Sequence, residues 1–142
     1  MVCLDKARGL ESSNGLPNPY VKLFIKSQPR EKCKKRSDVV QKNTNPVFAQ
    51  EFSYEVSKLA GVDEESLKDD FLLVEVMSQN VLGSNEFLGK GQVPIGVGMN
   101  QNGMFELRLL PQGDDTPWAE GCLKTSTVGI AGHSMSTDSI HG

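Results

Sequence analysis

The sequence predicts an all-β protein folded as an antiparallel sandwich. Short apolar or alternating runs recur along the chain, turn-forming clusters separate them at near-regular spacing, and one stretch alone is compatible with a helix. A chain of 142 residues makes one ordinary domain with a single core. Its 37% hydrophobic and 23% charged content suits a soluble globular protein with some disordered margin.

The first run is VCLDKA (2–7), followed by the turn-rich SSNGLPNP (12–19). YVKLFI (20–25) has a period of two, with Val21, Leu23 and Ile25 on one face and Tyr20, Lys22 and Phe24 on the other. If the first set points inward, Lys22 and Phe24 point away from the core. DVVQK (38–42) and EFSYEV (51–56) come next, separated by KNTNP, with Phe52, Tyr54 and Val56 sharing a face. SKLAGVDEESLKDD (57–70) is broken by Gly61 and reads as a loop with one helical turn. FLLVEVM (71–77), EFLGKGQVPI (86–95) and MFELRLL (104–110) complete the clear strands. Beyond PQGDDTPW lies a weak alternating run, GCLKTSTVGI (121–130). The domain is expected to span 1–130, with the small, polar 131–142 a disordered tail.

No run approaches the 18 or so apolar residues of a membrane span, and MVCLDKARGL lacks the apolar centre of a secretory signal. Cys3, Cys33 and Cys122 are widely separated, odd in number and without a C-x-x-C, so reduced cysteines in a cytosolic protein are expected. Both histidines, His133 and His141, fall in the polar tail, where no rigid scaffold orients a base. No nucleophile elbow, phosphate-cradling loop or metal-ligand cluster is present, so neither an enzyme nor a cofactor is expected. The net charge of −3 conceals a segregation: KSQPREKCKKRS (26–37) is strongly basic and DEESLKDD (63–70) acidic. The stretch SQNVLGSNEFLG (78–89) sets the apolar pair Val81-Leu82 among amides and hydroxyls, with Glu86 its one carboxylate. It reads as an inert turn, a metal loop that has lost its ligands, or a tip meant to leave water.

Three segments resemble the C2 domain family. NGLPNPYVKLFI (14–25) is similar to the family's loop 1 and following strand, G-x-S-D-P-Y-V-K. KNTNPVFAQEF (42–52) is similar to K-T-L-N-P-x-F/W-N-E-x-F, and LLVEVMSQNVLGSNEFLG (72–89) to the strand and loop 3 that end in D-x-x-G. They occur in family order and spacing over about residues 1–111. The resemblance implies an eight-stranded antiparallel sandwich with three loops at one end. The chain begins at what would be the second strand of the synaptotagmin-like topology. Either the first strand is missing or EGCLKTSTVGI (120–130) takes its place, as in the circularly permuted topology. The permuted arrangement is favoured, because an unfilled edge leaves backbone groups unpaired.

The resemblance also implies where ligands would bind. Calcium-dependent members use five aspartates, whose places here hold Ser12, Asn18, Ser78, Asn80 and Glu86, with Glu11 nearby. Four of the five are neutral, so calcium is not expected as a ligand. Leu16, Val81 and Leu82 fall where members place side chains that enter the bilayer, unless they fold back onto the sandwich. Tyr20, Lys22, Lys34 and Arg36 match the positions that read a phosphoinositide headgroup, and Asn85 matches a loop-3 asparagine of that set. Asp38 breaks the basic row, and the tryptophan of the family pattern is Met77. The expected function is calcium-independent docking to an anionic or phosphoinositide-bearing membrane, by a cytoplasmic, peripheral module cut from a larger protein. The alternative is a protein-interaction module with no lipid binding of its own, for which the acidic insert is a candidate contact. Nucleic acid is not expected, since the basic patch lacks interleaved exposed aromatics.

Overall fold

A computed structural model of the chain describes residues 2–13, 15–95, 105–111 and 126–132. Its strands are β1 (Val2–Arg8), β2 (Pro19–Ile25), β3 (Lys35–Arg36), β4 (Val47–Phe52), β5 (Phe71–Ser78), β6 (Glu86–Pro94), β7 (Phe105–Arg108) and β8 (Thr127–Gly132). They form two four-stranded antiparallel sheets, ordered β4-β1-β8-β7 and β3-β2-β5-β6. The eight-stranded sandwich is therefore present. The last strand in sequence lies between β1 and β7, which is the permuted arrangement. Residues 120–125 of the expected final run lie outside the described residues, while Thr127–Gly132 supply the strand. It continues past the boundary drawn at 130 because Ala131 pairs with Cys3 and Gly132 with Val2.

Alternation decides which side chains enter the core. Leu72, Val74 and Val76 on β5 are 1% exposed or less, and they meet Val21, Leu23, Leu88 and Val93 of the same sheet. Leu4, Val128 and Ile130 face them from the other sheet. Gly89 is required where the edges of the two sheets approach, since a Cβ there would lie 2.7 Å from Cβ of Leu109.

Several expectations shift. DVVQK is not a strand: pairing with β2 stops at Arg36, after which the buried Ser37 takes over, its N–H donating to Val21 O and its hydroxyl accepting from Val21 N, both at 2.8 Å. EFSYEV is a strand only through Phe52, because pairing with β1 begins earlier, at Val47. Tyr54 lies beyond the strand and donates to the carbonyls of Leu23 (3.2 Å) and Cys33 (2.9 Å), and burial raises its phenol pKa. Phe24 does not face solvent. It is 2% exposed in a second apolar cluster with Ile25 and Cys33, roofed by the short helix α1 (Arg30–Cys33), which the sequence did not suggest. The expected helical turn is α2 (Glu64–Leu67), capped by Asp63, whose side chain accepts from Ser66 N at 2.8 Å.

β4 carries a bulge. Leu4 pairs with Gln50 and Lys6 with Val47, so Asp5 opposes both Phe48 and Ala49. Ala49 takes φ +49°, a left-handed conformation in which alanine is strained. The family pattern has asparagine at this place, a residue that visits that region more readily.

Candidate lipid-docking end and basic face

Three loops meet at the end of the sandwich where β1, β3 and β5 finish: 9–18, 37–46 and 79–85. Ser12, Asn18, Ser78, Asn80 and Glu86, the five residues that the resemblance matches to calcium ligands, converge here and bond to the loops themselves. Ser12 Oγ donates to Glu86 Oε1 at 2.7 Å, and Ser13 N donates to Glu86 Oε2 at 3.1 Å. One carboxylate thus ties the first loop to the start of β6. Asn18 N donates to Ser78 Oγ at 3.0 Å, Asn18 Nδ2 to Gln79 O at 3.1 Å, and Lys42 N to Asn18 Oδ1 at 3.0 Å. Asn18 therefore joins all three loops. Asn80 Nδ2 donates to Ser84 O at 2.6 Å and Asn80 N to Asn85 Oδ1 at 3.1 Å, closing the third loop on itself.

Calcium takes six to eight oxygens, and its affinity follows their charge. Of the five matched side chains Glu86 alone is a carboxylate, and each of its oxygens accepts a hydrogen bond from the first loop. Among the described residues no group of three or more His, Cys, Asp or Glu could hold a metal.

The loops hold their apolar tips outward. Val81 is 94% exposed, Leu82 90% and Leu16 60%, so none folds back onto the sandwich. Gly83, at φ +92°, makes the turn that lifts Val81 and Leu82 away from the sheet.

The predicted headgroup residues are brought together only in part. Lys22 on β2 stands directly opposite Arg36 on β3, and Arg36 lies over the Tyr20 ring at 4.1 Å. Asn85 Nδ2 donates to Tyr20 Oη at 2.9 Å, which links this face to the third loop. Tyr20 itself is 4% exposed, so it positions Arg36 and Asn85 but offers little surface to a ligand. Lys34 is not on β3. It caps the C-terminus of α1, because Lys34 N still donates to Arg30 O at 2.9 Å and the strand begins one residue later. Met77 pairs with Tyr20 across β2 and β5 and is half-buried.

Sequence reasoning missed the centre of the face. Register places Arg36, Lys22, Glu75 and Lys90 in one row across β3, β2, β5 and β6. Glu75 approaches Lys22 at 3.8 Å and accepts from Arg30 at 2.8 Å, a hydrogen bond that holds the Arg30 guanidinium more firmly charged. The face is thus cationic with one embedded carboxylate. Glu75 lies between the buried Val74 and Val76 on the outward parity of β5, and register places it beside Lys22.

Two four-stranded antiparallel sheets with three loops gathered at one end define the class, a modular all-β sandwich. The sequence model of the C2 domain matches residues 1–108, and the chain belongs to that family. It is 34% identical over 109 residues to Synaptotagmin-2 of Homo sapiens, a match that covers 75% of this chain and 23% of that protein. The chain therefore spans about a quarter of the length of such relatives. Among solved structures, the C2 domain A of RIM from Drosophila is 26% identical with a TM-score of 0.58, over 68% of this chain and 75% of that one. The corresponding domain A of plant Extended Synaptotagmin 1 superposes with a TM-score of 0.67 over 92% of this chain and 89% of that one, and at 21% identity it speaks for the fold.

Proposed function

We propose that the chain is a calcium-independent C2 module that docks its parent protein weakly and reversibly onto anionic membrane surfaces on the cytoplasmic side. The observation that carries this reading is the near-complete exposure of Val81 and Leu82 on a loop end already tied together by protein hydrogen bonds. Burying such a side chain contributes roughly 1.5–3 kcal/mol, and each cation near an anionic leaflet about 1 kcal/mol. Lys22 and Arg36 supply that attraction beside the tips, with Asn85 holding the third loop to their face through Tyr20. Glu75 offsets part of it, which favours general anionic attraction over tight selection of one phosphoinositide. Docking, not catalysis, is the activity proposed, and among the described residues no helix is long and apolar enough to cross a membrane.

The test is co-sedimentation with neutral and phosphatidylserine-containing vesicles, each with calcium and with chelator. Binding to anionic vesicles, unchanged by chelator and weakened by salt, is the expected result. Leu82→Asp should reduce affinity about tenfold or more, as loss of a buried leucine implies. Binding only with calcium refutes the metal-free part. No binding under any condition refutes membrane docking and favours a protein partner instead.

A further inference from the structure

The cationic face continues past the Glu75–Lys90 row, along the sheet away from the loop end. Beside the bridge in which Lys90 and Leu110 exchange both backbone hydrogen bonds, at 2.9 and 2.7 Å, a cleft of about 410 Å³ opens along β6 and β7. Among the described residues Lys26, Arg30, Lys90 and Arg108 line it, with Glu75 the one carboxylate. Leu73, Leu107 and Leu110 supply its apolar wall. Lys26 and Arg108 are exposed, and neither belongs to the headgroup set above.

We propose that this cleft docks an acidic peptide segment carrying at least one apolar side chain, supplied by a protein partner. Three features select that occupant. The rim cations attract carboxylates and the leucine wall accepts an aliphatic group, which a bare inositol phosphate lacks. Glu75, its side chain 15% exposed and paired with Arg30, repels a compact polyanion but fits between the spaced carboxylates of a peptide. The far end of the cleft is also remote from the tips. Leu73, which pairs with Gln92, lies five residues along β5 from Ser78, which pairs with Glu86, or about 17 Å at about 3.4 Å per residue. A ligand held there is on the water side when the tips are in a bilayer, so membrane and peptide can be bound together. The proposal stands independently of the membrane reading.

The experiment uses fluorescence anisotropy of the full chain with a fluorescein-labelled peptide of alternating glutamate and leucine, with an all-glutamate peptide and inositol hexakisphosphate as competitors. Saturable binding that weakens with salt is expected. Arg108→Glu and Lys26→Glu should each weaken it about tenfold by turning attraction into repulsion, and Arg108→Gln by less, while vesicle binding is unchanged. Leu82→Asp and Arg36→Ala should do the reverse. Absence of saturable peptide binding, or equal loss with Arg36→Ala, overturns the assignment. Tighter binding of inositol hexakisphosphate than of the peptide overturns it in favour of a polyphosphate site, and equal binding of the all-glutamate peptide removes the role of the leucine wall.

Discussion

Removing Glu86 should loosen the loop end without unfolding the sandwich. Its carboxylate accepts from Ser12 Oγ at 2.7 Å and Ser13 N at 3.1 Å, across 74 and 73 residues of sequence. Hydrogen bonds to a charged group contribute about 1.5–3 kcal/mol when well shielded. Ser12 is only half-buried and Ser13 exposed, so water replaces much of each bond, and about 1 kcal/mol apiece is the reasonable figure. Glu86→Ala then lowers the local opening free energy by about 2 kcal/mol, or roughly 30-fold in amide exchange at Ser13. Glu86→Gln keeps an acceptor for one partner only and should produce about half that free-energy change. Hydrogen exchange of residues 11–16 and 79–85 reads the effect directly, and thermal unfolding serves as the control. Unchanged exchange at Ser13 in Glu86→Ala would refute the idea that this carboxylate holds the loops. A large drop in melting temperature would mean that Glu86 supports the core instead.

Ala49→Gly and Ala49→Asn should both stabilise the fold by about 0.5–1 kcal/mol in denaturant unfolding, since they relieve the left-handed strain at the β4 bulge. Ala49→Val should destabilise it despite valine's preference for strands, and a stabilised valine variant would count against the bulge. Gly89→Ala should destabilise by about 1–3 kcal/mol, because the added methyl meets Leu109 Cβ at 2.7 Å, whereas Gly91→Ala meets the movable end of Leu107 and should be milder. The Ser66 hydrogen bonds hold the Asp63 carboxyl below the usual carboxylate range, so its contribution to α2 is present above the unfolded-state pKa. That contribution is lost as pH falls through the folded-state pKa. The Ser66 amide should therefore lose protection, relative to its intrinsic exchange rate, as the pH falls, and in Asp63→Asn, which keeps a neutral cap, that protection should no longer depend on pH.

The strands were readable along the chain as short apolar runs bounded by turn residues, FLLVEVM among them, and in YVKLFI a period of two was read as burial on one face. Phe24 defeated that rule. Helix α1 folds over the outer face of β2, so both faces of the strand are covered and alternation no longer separates core from solvent. The family match put Lys34 and Arg36 in one headgroup set, yet α1 consumes Lys34 as its cap and leaves a two-residue β3. A helix of four residues, Arg30–Cys33, has no periodicity to detect.

Composition, turn chemistry and motif order were enough to determine an all-β sandwich of the C2 family, since each is a property of neighbours in the chain. Exposure of Val81 and Leu82 was also legible, as a loop of amides around two apolar residues offers them nothing to pack against. Only the tertiary structure decided that Glu86 ties the loops, that Glu75 sits within the cationic row, and that Lys26 and Arg108 border the same cleft. Those relations depend on strand register and on how two sheets meet at their edges. Register is settled by the packing of both inner faces at once, among partners as distant in sequence as Val2 and Gly132.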